Sequence, residues 1–114
     1  MAIVDRNTTY RGRIKVSRED LELAKIGKKK CTIRLGKANV EGNVIEITDG
    51  HEKITARISR VDTNRRYGSL NDEDAAMEGF NSHQELKSDL SRFYGRIDPM
   101  QPMTIIYFTV GDYN

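Results

Sequence analysis

The chain has 114 residues, 19 Lys/Arg against 17 Asp/Glu for a net charge of +2, no Trp and a single Cys. That length holds one domain with a modest core. One Cys excludes an internal disulfide, and with two scattered His it does not make a zinc site from N/S ligands.

No apolar run approaches the roughly 20 residues of a membrane helix. Residues 1–10 carry Asp5, Arg6 and Asn7 and lack the apolar core of a secretory signal. The expectation is one cytoplasmic domain over 1–114, with no membrane partner and no cofactor. The charge is unevenly spread. Residues 1–37 hold eleven Lys/Arg and four Asp/Glu, whereas 71–98 hold three and seven. A basic first third points to an anionic partner; the alternative is an ordinary solvated surface.

In chain order, Tyr10–Val16 alternates Tyr10, Gly12, Ile14 and Val16 against Arg11, Arg13 and Lys15, which predicts a strand with a basic face. Ser17 suits an N-cap, with Asp20 as a weaker partner for a capping box. A short helix with Leu21, Leu23, Ala24 and Ile26 follows, and Gly27 suits its C′ position. Lys30–Gly36 alternates again, with Cys31, Ile33 and Leu35 opposite Thr32 and Arg34. Asn43–Thr48 and Glu52–Val61 read as strands joined at Asp49-Gly50. Asn64–Ser69 reads as an exposed basic loop carrying Arg65, Arg66 and Tyr67. Asn71 caps an acidic helix ended by Gly79, and Ser82 with Glu85 opens another, ended by Gly95. In that second helix Leu86, Leu90 and Phe93 fall on one face. Met103–Val110, apolar almost throughout, predicts a strand buried on both faces.

Local hairpins dominate this order, which argues for α+β: a small, mainly antiparallel, curved sheet or barrel with about three helices. Neither G-x-G-x-x-G nor G-x-x-x-x-G-K-[ST] occurs.

The densest chemical cluster is Gly27-Lys28-Lys29-Lys30-Cys31-Thr32-Ile33-Arg34. Thr32 and Arg34 share a strand face, and Lys29 sits where it could fold over them. Arg offers a rigid fork to phosphate or a carbonyl edge. Thr offers a hydroxyl that a base could turn into a nucleophile. Lys offers a cation, or a base if burial lowers its pKa. The plainer reading is a basic turn entering an ordinary strand. Arg11 and Arg13 could grip phosphate, and Tyr67 beside Arg65 could stack on a base or merely sit in a mobile loop. Cys31 should pack inertly in the core.

Gly27, Lys29, Thr32 and Arg34 form G-x-K-x-x-T-x-R, and Ala75, Glu78 and Gly79 form A-x-x-E-G. In that order, followed by Glu85-Leu86, Leu90, Tyr94 and Thr104–Phe108, they resemble the ASCH family, relatives of the PUA domain, over roughly residues 18–110. The division is then a basic N-terminal extension and strand over 1–16 and a family-like core over 17–110. The resemblance implies a small PUA-like β-barrel whose cleft takes RNA, a nucleobase or a nucleotide. It also implies an alternative, since small bacterial members hydrolyse the amide of N4-acetylcytidine. Thr32 would then be the nucleophile, Lys29 its base, Glu78 an acid/base or orienting group, and Arg34 a substrate or oxyanion contact. A third reading is a protein-interaction module without a nucleotide ligand.

Overall fold

The computed structural model describes residues 8–110; the first seven residues of the 1–16 extension lie outside the described residues. Five strands and three helices run in the order β1 (Thr9–Lys15), α1 (Arg18–Lys25), β2 (Cys31–Leu35), β3 (Asn39–Thr48), β4 (Lys53–Arg66), α2 (Asp72–Glu78), α3 (His83–Tyr94) and β5 (Pro102–Val110). One sheet has the order β1-β3-β4-β5-β2. Only the β1–β3 pair is parallel; the other three pairs are antiparallel. The architecture is α+β, a curled half-barrel sheet flanked by three helices. No helix among the described residues is long and apolar enough to cross a membrane.

The strand β5 explains why two cores form. It is apolar on both faces, as its sequence predicts, and lies inside the sheet. Met103 and Ile105 join Cys31, Ile33 and Leu35 of β2 beneath α2 and α3, together with Leu70, Ala75, Leu86 and Leu90. Ile106 and Phe108 face the other way, onto Ile14, Leu21, Ala24, Ile45 and Ile47. Thr104 is fully buried between these layers. Its hydroxyl accepts from the Ala38 N–H at 2.9 Å and donates to the Gly36 carbonyl at 2.7 Å, fastening the β2–β3 turn.

Three expectations need correction. Asn64–Ser69 is not a loose loop: β4 runs 14 residues to Arg66, and Tyr67–Ser69 forms one 3₁₀ turn. Leu86 and Leu90 are buried, but Phe93 on the same face is 61% exposed. The capping boxes also sit elsewhere. Ser17 and Ser82 accept from the backbone of Asp20 and Glu85 without the reciprocal bond, whereas Asn71 and Asp74 close a full box.

Two helix ends set up the rest. After α1, the Gly27 N–H donates to the Ala24 carbonyl and the Lys28 N–H to the Leu23 carbonyl. After α2, the Gly79 N–H donates to Ala76 and the Phe80 N–H to Ala75. Both are Schellman turns, with the glycine in the left-handed region at φ 78° and 91°. The turns dock on each other, and the Lys30 N–H donates to the Met77 carbonyl at 2.6 Å. A Cβ on Gly79 would lie 3.3 Å from Leu23 Cδ1 and 3.5 Å from the Lys28 carbonyl oxygen, whereas one on Gly27 would meet nothing.

Gly27→Ala is therefore expected to cost only backbone strain, about 1–2 kcal/mol. Gly79→Ala adds crowding at the docked turn and should cost clearly more. Urea denaturation of the two variants checks the order; equal losses would contradict the docking.

Candidate functional site

Each docked turn presents one charged side chain inward. Lys29 stands two residues after Gly27, and Glu78 immediately before Gly79. Their residues are 2% and 6% exposed. The Lys29 ammonium donates to Glu78 Oε2 in a buried ion pair. Glu78 Oε1 accepts from the Ile33 N–H at 2.9 Å. Because β2 pairs only with β5, that N–H faces away from the ladder and needs an acceptor. Glu78 thus supports an edge strand and neutralises a buried cation together.

The electrostatics follow from burial and pairing. Burial pulls the Lys29 ammonium down, but the charge and hydrogen bond of Glu78 together with the Asp20 charge outweigh it and hold the pKa above the usual lysine value. Burial pushes the Glu78 carboxyl up, and Lys29 offsets only part of that. At neutral pH Lys29 is an ammonium. Burial also pushes the Cys31 thiol well above its usual value, as suits an inert core cysteine.

Thr32 and Arg34 share one face of β2, opposite Cys31, Ile33 and Leu35. Arg34 Nε donates to Thr32 Oγ1 at 3.2 Å. Its Nη2 reaches across to donate to the Lys15 carbonyl at 2.8 Å, and its guanidinium stands 5.6 Å from the Tyr10 ring centre. Lys15 and Tyr10 belong to β1, the far edge of the sheet. A side chain, not a backbone ladder, links the two edge strands.

A hollow of about 410 Å³ opens at this seam. Lys29, Thr32, Arg34 and Glu78 all line it, so the structure brings these four together. Ser17 and Asp20 border it at the start of α1, while Leu86, Leu90, Phe93 and Tyr94 of α3 form an apolar wall. No group of three or more His, Cys, Asp or Glu among the described residues is arranged to hold a metal ion.

The other sequence candidates stand apart. Gly27 shapes its turn and borders a separate depression with Lys30 and Tyr107. Arg11 and Arg13 lie on β1 beside Glu41 and Glu46 of β3, at 3.1 and 3.6 Å. Arg65 is paired with Asp74, which raises its pKa through that hydrogen bond. The Tyr67 hydroxyl donates to the Lys87 carbonyl at 3.1 Å, and the ring packs on the core rather than standing free. Phe93 and Asp20 were legible only in other roles, as core and as cap. Nothing in the spacing says that α3 is turned so that its third apolar residue reaches the hollow.

No protein-family model and no curated protein matches the chain. Among solved structures it is similar to the ASCH domain from Lactobacillus crispatus JV V101, with a TM-score of 0.65 at 15% identity, over 92% of this chain and 80% of that one. The chain therefore has the fold of an ASCH domain.

Glu78→Gln leaves a buried ammonium without a counter-charge and is expected to cost about 3–5 kcal/mol. The double variant Lys29→Met/Glu78→Leu should be less destabilised, since it removes both charges. A raised lysine pKa adds stability that is whole below the ordinary value of 10.5 and fades as pH rises through the raised one. Urea titrations above pH 10 should show that fading in the wild type and not in the double variant.

Proposed function

We propose that the hollow binds one nucleobase or nucleoside. The observation that carries this reading is the convergence of Lys29, Thr32, Arg34 and Glu78 on one cavity of about 410 Å³. That volume is in the range of small-ligand sites, and an apolar wall facing a few convergent polar groups is their usual make-up. The planar Arg34 fork and the Thr32 hydroxyl suit the polar edge of a heterocycle, and Phe93 and Tyr94 suit its face. The ASCH fold and the two motifs support the same ligand class. Arg11 and Arg13, already beside carboxylates, give little support to a long nucleic-acid track.

A second reading, hydrolysis of an acylated nucleoside, is favoured by Thr32. Thr32 lines the cavity, its hydroxyl hydrogen-bonded to a guanidinium, three residues after Lys29 of the buried pair. Thr32 Oγ would attack the acyl carbon and form an ester while the amine leaves with a proton. Water would then cleave the ester and restore the hydroxyl. Lys29 is an ammonium in the resting site, so it can accept the Thr32 proton only after giving up its own. Glu78, whose carboxyl burial pushes up, is the neighbour placed to take that proton. The three groups would then titrate together.

Thermal shift and calorimetry with cytidine and N4-acetylcytidine test both readings. A bound nucleoside must raise the melting temperature, by an amount corresponding to about 2.7 kcal/mol at a hundred times Kd. Its affinity should change little with salt, unlike that of a nucleic-acid strand. Product analysis should show cytidine and acetate with the wild type, and none with Thr32→Ala even though that variant still binds. Binding without turnover removes the hydrolase reading alone, and no shift with any nucleoside removes both.

A further inference from the structure

We infer that Asp20 is a ligand-binding carboxylate that accepts a hydrogen bond from an exocyclic N–H of the bound heterocycle; this rests on the nucleoside reading of the hollow. Asp20 is the third residue of α1, where an acidic side chain ordinarily turns back to the N-cap backbone N–H. Here Ser17 Oγ accepts from the Asp20 N–H at 3.1 Å, but the return bond is not made. The carboxylate makes no hydrogen bond and no ion pair among the described residues, and it borders the hollow half-buried.

The other two carboxylates of the hollow are engaged. Glu78 holds Lys29 and the Ile33 N–H, and Asp89 pairs with Arg92 at 2.7 Å. Asp20 is also close enough for its charge to reach both members of the buried pair, pushing the pKa of each upward. An acceptor with unfilled lone pairs, half out of water, is matched by a donor on the ligand. The Arg34 fork borders the same cavity, supplies donors and is matched by ring or carbonyl acceptors. The hollow therefore selects a heterocycle with a donor edge beside an acceptor edge, and disfavours one that turns a carbonyl toward Asp20.

Cytidine presents a 4-amine beside a bare N3 and uridine a 4-carbonyl beside an N3–H, so the change in their affinity ratio when Asp20 is replaced reads this contact. The wild type should bind cytidine about ten- to a hundredfold more tightly, the worth of a hydrogen bond to a charged group. Asp20→Asn, whose amide offers both donor and acceptor, should lower that ratio about tenfold or more. Asp20→Ser, which keeps a good residue for a first helical turn, should do the same if the Asn variant folds poorly. A ratio left unchanged by both substitutions overturns the inference. So does equal binding of the two nucleosides by the wild type, which leaves the nucleoside reading intact. Failure to bind either nucleoside overturns that reading and takes the inference with it.

Discussion

One buried ion pair holds the two parts of this site in register. Lys29 and Glu78 are 49 positions apart in the chain and belong to different helix ends, yet each is almost fully removed from water. An isolated charge in either place would not be tolerated, because losing its hydration costs several kcal/mol without compensation. The two turns must therefore approach until the charges meet, and the backbone permits this because both turns end in left-handed glycines, the second of which a Cβ would crowd against Leu23. A pair of hydrocarbon side chains could fill the same space at similar or better stability. What hydrocarbon could not supply is an oriented carboxylate that also satisfies the Ile33 N–H, and a cation facing a cavity.

The cavity exists because the sheet stops short of closing. A complete barrel would join β1 and β2 through backbone hydrogen bonds and leave no seam. Here Arg34 spans the gap with one hydrogen bond to the Lys15 carbonyl while another of its nitrogens holds Thr32. A long, flexible reach replaces a rigid ladder, and the space beneath it is what α1 and α3 border. Arg34 is thus part of the frame as well as of the lining, and its fork fixes the direction in which the Thr32 hydroxyl can offer its own proton.

Much of this was legible in the sequence where one local rule decides. Ser17, Gly27, Asn71, Gly79 and Gly95 mark helix ends through capping chemistry, which depends on a few neighbouring residues. The two-faced apolar run of β5 announced a strand buried on both sides. The order G-x-K-x-x-T-x-R and A-x-x-E-G placed four residues in one expected site, and the docked turns bring them to one hollow. What failed depended on tertiary context. Arg65, Arg66 and Tyr67 look like a polar loop, but Asp74 sits where Arg65 can reach it and the core lies under the Tyr67 ring. Phe93 matches the spacing of Leu86 and Leu90, yet the helix emerges past the edge of the core at that turn. Asp20 fits a capping partner by spacing, but in the folded chain its carboxylate makes no return bond to the cap.

Charge along the chain was the least transferable signal, and the reason is the sheet register. The first third carries a large positive excess, but β1 lies parallel to β3 with Arg11 opposite Glu41 and Arg13 opposite Glu46. Glu46 also meets Lys53 of β4, and Lys25 of α1 meets Glu22 and Glu52. Exposed pairs of this kind contribute little stability, but they do cancel the local field. Segments that look basic in sequence are thereby interleaved with carboxylates in space. The hollow itself holds a small enclosed set of charges, two of them already paired with each other. Such a field acts over a few ångströms, on a ligand that has entered, rather than over the tens of ångströms that would gather a polyanion. Selection at the proposed nucleoside site would then rest on the shape and the hydrogen-bonding edge of what fits inside.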